Sequence, residues 1–324
     1  AEDGIRDKLV TGVQTCALPI SEGRVAVYSG FSGNQLHAAI KKGFEEAFGI
    51  PVDMLMARPS EISERVRVEV AAGRVAGDVV FNGEATLKRA AAEGQLQQSS
   101  GFPGVGDLIV PDSNPGFAAP SFMNGYGMMV NSSLVKPEEE PKSWRDLLDP
   151  KWSGKMLADD TRALGAGGIF FSVMTERFGA DFHRRLAQQK IVFGRDLGAD
   201  QLRIARGEFP LRWPQSLSNM RDLKGLPLRF IIPTEGLTYV RVDSAIIKGA
   251  ARPNAAQLFI AYMLSQKTQD VLAGFGLIPV IKGVVNAPDA ETRDLVSRAK
   301  EKLLGTSHPD TIEAMLALAK EIYK

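Results

Sequence analysis

The stretch that decides the fold is Arg24–Phe48, RVAVYSGFSGNQLHAAIKKGFEEAF. Val25, Val27 and Tyr28 form an alternating apolar run that predicts a strand. Ser29-Gly30-Phe31-Ser32-Gly33-Asn34 breaks that run, and Leu36, Ala39, Ile40, Phe44 and Phe48 then follow helical spacing. A strand that turns through small residues into a helix brings backbone N–H groups and the positive end of the helix dipole to the turn. Ser29, Ser32 and Asn34 add hydroxyl and amide donors. The turn reads either as an anion cradle or as a plain βα connection with Ser or Asn as N-cap, and the stretch alone leaves both open.

Outward from it, Pro51–Ala57 predicts a second strand, and Ser60 caps a helix with apolar positions Ile62, Val66 and Val70. Asp78-Val79-Val80-Phe81 is a continuous apolar run of the kind found in strands buried on both faces. A helix from Ala85 to Ala92, closed by Gly94, completes a β-α-β-α-β-α pattern, that of a doubly wound sheet. Residues 99–119 form a long loop rich in Gly, Pro, Ser and Asn. A second α/β unit starts near Ala118, with strands at 125–131, 154–158, 191–193, 209–213 and 228–232 and helices at 144–148, 169–178 and 198–206. The first unit lacks a closing strand, which Val242–Ile247 supplies by returning late in the chain. The tail, 254–264, 267–273 and 290–323, is helical.

With 324 residues, 44% hydrophobic and 24% charged, the chain has the composition of a globular protein with room for two domains. A formal charge of +1 argues against nucleic acid binding by bulk charge. No run approaches the roughly 18 apolar residues that a spanning helix needs. The opening segment, AEDGIRDKLVTGVQTCALPI, shows neither periodicity nor the basic start and apolar core of a signal peptide. It resembles a translated sequencing-library adapter, so the native chain is expected to begin near Ser21. Cys16, the single cysteine, then falls outside the native protein. A native chain without cysteine is compatible with an oxidising compartment.

Several pieces resemble one family. Val25-Ala26-Val27-Tyr28-Ser29-Gly30 and Ala76-Gly77-Asp78-Val79-Val80 match its first and third strands. Trp144-Arg145-Asp146-Leu147-Leu148-Asp149-Pro150-Lys151-Trp152-Ser153-Gly154-Lys155 matches the segment that enters its second lobe. Glu235–Leu264, EGLTYVRVDSAIIKGAARPNAAQLFIAYML, matches its return crossing. Together and in order they resemble the family-1 extracellular solute-binding proteins of ABC importers, in the branch with ferric-iron binders. The resemblance implies the type II periplasmic-binding-protein fold: α/β throughout, two lobes of mixed sheet with helices on both faces, joined by crossing strands that act as a hinge. On that pattern residues 21–118 and 242–280 make the first lobe, 119–241 the second, and 281–324 C-terminal helices packing on the lobes. It implies a periplasmic monomer without cofactor, closing over its solute and delivering it to a permease in the inner membrane.

The ferric branch supplies a His in the first turn, a Glu after the third strand and a tyrosine pair in the second lobe. Here those positions fall on about Ser32, on Gly83 with Glu84 one residue off, and on Leu211-Arg212-Trp213. Without those donors the expected ligand moves from Fe³⁺ to a small anion: a carboxylate, phosphonate or phosphate ester. The expected binding residues are Ser29, Gly30, Ser32, Arg58, Asn82, Tyr126, Thr161, Arg162, Gly167, Trp213 and Tyr239. Arg58 and Arg162 would clamp the charge. The N–H groups of Gly165–Gly168 would cradle it, and Trp213 would stack on the ligand body.

Each has a structural reading beside it. Arg58 is then a turn residue, the glycines a flexible helix start, and Trp213 and Tyr126 packing residues; His37, His183 and His308 read as surface or packing residues. Asp159-Asp160 reads as a capped strand end rather than a Mg²⁺ site. The alternatives are a ferric-iron binder and a small α/β hydrolase or transferase. Against the latter, the chain has no Gly-x-Ser-x-Gly elbow, no His-Glu-x-x-His and no Cys/His cluster. No metal ligands and no catalytic residues are therefore expected.

Overall fold

A computed structural model describes residues 17–31, 34–112, 114–194, 196–308 and 310–324. The chain divides into two compact units. Unit 1 holds the described residues up to Met123 together with Arg241–Phe275 and Pro279–Pro288; unit 2 holds Asn124–Val240, Gly276–Ile278 and Asp289–Lys324.

Unit 1 is wound as β1 (Val25–Ser29), α2 (Asn34–Phe48), β2 (Val52–Met56), α3 (Pro59–Ala71), β3 (Val79–Gly83) and α4 (Glu84–Ala92). A short helix, α1 (Ala17–Ser21), precedes them. Its presence departs from the aperiodic reading of the opening segment. Just after it, the Glu22 carboxylate accepts the backbone N–H groups of Asn254 (3.3 Å) and Ala255 (2.7 Å), which fixes the chain at this point. β1 lies between β2 and β3, parallel to both, with Val25 opposite Val52 and Val27 opposite Val79. The closing strand is the second half of β9 (Leu237–Ile246), antiparallel to β3 with Val79 opposite Ile246 and Gly83 opposite Val242.

Both faces of this sheet are covered, which is why Val79-Val80-Phe81 is apolar throughout. Tyr28 and Val80 pack with Ile62, Val66 and Leu87 from α3 and α4. On the other face Phe81 meets Phe259 of α8 (Pro253–Met263), which meets Phe44 of α2 edge-on at 4.9 Å. α9 (Gln266–Gly274) follows α8 directly. The N-cap of α3 is Arg58 rather than Ser60, with Pro59 as first helical residue. Proline's fixed φ suits that position and its missing N–H is not needed there. Asp78 is fully buried; its Oδ2 accepts the Ala26 N–H at 2.7 Å and lies 3.2 Å from Arg252 Nε, pinning β3 to the start of α8.

Unit 2 takes the second half of β4 (Ala118–Asn131), then β5 (Met156–Asp159), α5 (Ala166–Phe178), α6 (Ala180–Ala187), β6 (Val192–Gly194), α7 (Leu197–Ala205), β7 (Leu211–Ser216) and β8 (Leu228–Ile231). The first half of β9, α10 (Ala290–Glu301), β10 (Leu303–Gly305) and α11 (Ile312–Ile322) complete it. β5 is parallel to β6 and to β7, and β7 runs antiparallel to β4, with Met129 opposite Arg212. β8 pairs with β4. The Trp144–Trp152 motif is structural here: Trp144, Leu147 and Trp152 are buried, and Trp144 Nε1 donates to Gly236 O at 2.9 Å. Phe170 of α5 bridges Trp144 (5.0 Å) and Trp213 (4.6 Å), giving an aromatic core.

α11 docks through Tyr323 onto a buried histidine. His183 Nδ1 is 2.9 Å from Tyr323 Oη and Nε2 is 3.1 Å from Phe171 O. A carbonyl only accepts, so Nε2 carries the proton and Nδ1 accepts from the phenol. Burial pushes this imidazole down to about 3. The unfolded value is near 6.5, so the neutral imidazole stabilises the fold above pH ~6.5 and that contribution is lost as pH falls toward 3. At pH 5 the loss is about 2 kcal/mol. In thermal unfolding at pH 7 and pH 5, His183→Gln is expected to lose less stability across the interval than the unsubstituted protein; equal losses would remove His183 as the cause.

Candidate functional site

In open α/β sheets ligands gather at the carboxyl ends of parallel strands. In unit 2 that edge is formed by Asp159 at the end of β5 with Asp160 and Thr161 just after it, by Gly194 at the end of β6 and by Gln215 and Ser216 at the end of β7. α5 begins just beyond Thr161.

The central group is Arg212. It sits in β7 opposite Leu157 of β5, with no exposed surface. Its side chain runs toward the strand's carboxyl end, where Nη1 donates to Pro214 O at 2.8 Å and to Gln215 Oε1 at 2.9 Å. Nε and Nη2 are buried without a hydrogen-bond partner among the described residues. Burial pushes the guanidinium's pKa down, and the nearby Asp159 and Asp200 carboxylates oppose that shift. An arginine stays protonated in any protein environment, so a positive charge with two unused donors is held inside unit 2. Near this edge the buried Thr161 hydroxyl and Nε2 of Gln201, the neighbour of Asp200 in α7, also lack hydrogen-bond partners among the described residues.

Asp159 organises the rest. Its Oδ2 accepts the Gly167 N–H at 2.8 Å, so the negative end supplied to the N-terminus of α5 is the protein's own carboxylate. Burial raises its pKa, while the Gly167 N–H and Arg212 pull it down. Gly167 has no room for a side chain: a Cβ there would lie 2.6 Å from the Asp160 carbonyl. The half-buried Tyr126 phenol is pushed above its usual range, by burial first and by Asp159 second, so it is a neutral O–H group.

The expected residues are distributed as follows. Thr161, Gly167 and Tyr126 lie at this edge of unit 2 or beside Asp159. Arg162 follows Thr161, but its guanidinium is committed elsewhere. Nε and Nη2 hold the Asp160 carboxylate at 2.8 and 3.2 Å, and Nη1 donates to Tyr323 O at 3.1 Å. It ties α11 to the β5–α5 loop, and Asp160 is thereby a partner of Arg162 rather than a free carboxylate. Trp213 is wholly buried against Phe170, with Nε1 on Met156 Sδ, because alternation along β7 turns it to the aromatic core. Its ring is not available for stacking on a solute. Tyr239 lies half-buried on β9.

In unit 1, Ser29 Oγ is 2.8 Å from His37 Nε2, and the Gly30 N–H donates to Phe81 O at 2.9 Å. The Asn82 side chain holds Pro59 O, Ser63 Oγ and the Gly83 N–H. These three build the turn instead of presenting donors. Arg58 is exposed at the N-cap of α3. Ser32 lies outside the described residues. His37 and His183 are buried packing residues and His308 is exposed. Among the described residues no three of His, Cys, Asp and Glu gather into a metal-binding group.

Arg212 and Asp159 were not among the expected binding residues. The signal was present in Leu211-Arg212-Trp213, a charged residue between two large apolar ones in a short strand, since unpaired charge is rarely tolerated inside a core.

A family model described as bacterial extracellular solute-binding protein matches residues 78–306. A Haemophilus influenzae protein is 24% identical over 280 residues, covering 81% of this chain and 79% of its own. Iron-bound HitA of Pseudomonas aeruginosa superposes with a TM-score of 0.73 at 20% identity, covering 92% of this chain and 99% of its own. A substrate-binding protein of an ABC transporter from Agrobacterium tumefaciens gives 0.74 at 16%, with 93% and 94% covered. The Trichodesmium protein IdiA (FutA), in complex with iron and citrate, gives 0.74 at 17%, with 93% and 100% covered.

The Arg162 contacts make it a tether. Arg162→Ala is expected to lower stability by about 1–3 kcal/mol in chemical denaturation, the range for charge-assisted hydrogen bonds to a buried carboxylate. A variant as stable as the unsubstituted protein would refute the tether.

Proposed function

The chain belongs to the bacterial extracellular solute-binding proteins, and we propose that it is the periplasmic substrate-binding component of an ABC importer, capturing a small anionic solute. The observation that carries the anionic reading is Arg212, a buried guanidinium with two donors unused. An unsatisfied buried donor costs roughly 1–3 kcal/mol, more when charged, so a solute oxygen meeting Nε and Nη2 gains what the protein alone leaves unmade. The planar fork suits a carboxylate, phosphonate or phosphate ester, each offering two oxygens side by side. The Thr161 hydroxyl and the neutral Tyr126 phenol are further donors of the kind an oxyanion accepts.

Capture is non-covalent: binding energy, not bond making, does the work, in keeping with a family of binding proteins rather than enzymes. A periplasmic location and a permease partner in the inner membrane follow from the family reading, and the protein acts as a monomer. Ferric iron is the second reading, favoured by the iron carried by HitA and the Trichodesmium protein. Against it, the position expected for the tyrosine pair holds a buried cation, which repels a metal ion.

Titration calorimetry with carboxylates, phosphonates, phosphate esters and ferric citrate separates the readings. An anion is expected to bind, and Arg212→Lys, which keeps the charge but loses the fork, is expected to weaken it by about 1.5–3 kcal/mol. Tight ferric binding with a tyrosinate charge-transfer band would overturn the anionic reading, and turnover of an ester or phosphate would overturn the binding-protein reading.

A further inference from the structure

The surroundings of Arg212 narrow the solute further. In the strand register Arg212 lies opposite Leu157, so Asp159, two residues further along β5, is on the same side of the sheet, and the charges of Asp159 and of Asp200 in α7 both act on the guanidinium. Asp200 is 3.7 Å from Arg203 Nη1, which offsets it. Among the described residues Arg212 is the cation that acts on Asp159, and no ion pair to another one is seen. Its Oδ2 takes the Gly167 N–H, and its Oδ1 has no hydrogen-bond partner among the described residues. The carboxylate is half-buried, whereas Arg212 is fully buried. The edge therefore holds a positive group with two unused donors and, beside it, a negative group with an unused acceptor.

A solute with acid groups alone satisfies the first and is repelled by the second. A dianion meets that repulsion twice, inside a medium where water screens it poorly. A solute that carries a protonated amine beside its acid group satisfies both, because the ammonium donates to Oδ1 of Asp159 while the acid oxygens accept from Arg212. We infer that the solute is zwitterionic, an amine-bearing acid whose acid group is held by Arg212 and whose ammonium is held by Asp159. Asp159 is then the residue that sets specificity, and the Gly167 N–H is what keeps its free oxygen in place. This inference rests on the anionic reading of Arg212.

The test is titration calorimetry with pairs of acids that differ by one amine: taurine against ethanesulfonate, β-alanine against propionate, and 4-aminobutyrate against butyrate. In at least one pair the amine-bearing member is expected to bind about tenfold or more tightly than its partner, the size of one charge-assisted hydrogen bond. Asp159→Asn keeps an acceptor for the Gly167 N–H and removes the charge, and is expected to shrink that preference to within about threefold. A circular dichroism melt verifies that the variant is folded.

Plain acids binding as tightly as their amine-bearing partners would overturn the inference. So would an Asp159→Asn variant that weakens both members of a pair equally. If no anion of the wider set binds at all, the anionic reading falls and this inference with it. If the anions that bind all lack an amine, the anionic reading stands and only this inference falls.

Discussion

A guanidinium withdrawn from water must find its compensation in the protein or in a ligand. That constraint organises unit 2. Arg212 is held by the Pro214 carbonyl and the Gln215 amide, and the charges of Asp159 and Asp200 balance it. Asp159 in turn occupies the N-terminus of α5, and the glycine that lets α5 approach the strand end is Gly167. Asp159 is held further by the Gly167 N–H and Asp200 by Arg203. The strand end, the helix start and the buried arginine are one electrostatic arrangement.

The C-terminal segment reinforces the same loop from outside. Arg162 grips Asp160 and reaches the Tyr323 carbonyl, and the Tyr323 phenol reaches His183 between Phe171 and Phe182. The chain that carries Thr161 is thus anchored at one end by β5 and at the other by α11. A loop fastened at both ends holds the Thr161 hydroxyl where it finds no hydrogen-bond partner among the described residues.

The comparisons with solved structures concern the fold, which is compatible with different ligands. At 16–20% identity the backbone path is kept, as the coverage of 92–93% of this chain shows.

The alternation of Val25, Val27 and Tyr28 and the apolar run Val79–Phe81 were enough to read β1 and β3, because strand period and two-sided burial are written residue by residue. The family pieces, Trp144–Lys155 above all, were legible because large apolar residues at fixed spacing have few uses other than a core. The role of polar side chains was much less legible. Ser29, Asn82 and Arg162 are donors in the sequence whatever they bond to, and only the fold reveals that His37, Pro59 and Asp160 already use them. Trp213 and Arg212 are neighbours in sequence and face opposite sides of one strand, so their fates were decided by which side of β7 meets the aromatic core. Hydrophobic pattern is a local property and fixes the elements. Whether a donor is spent or free depends on partners tens of residues away, and only tertiary structure brings those together.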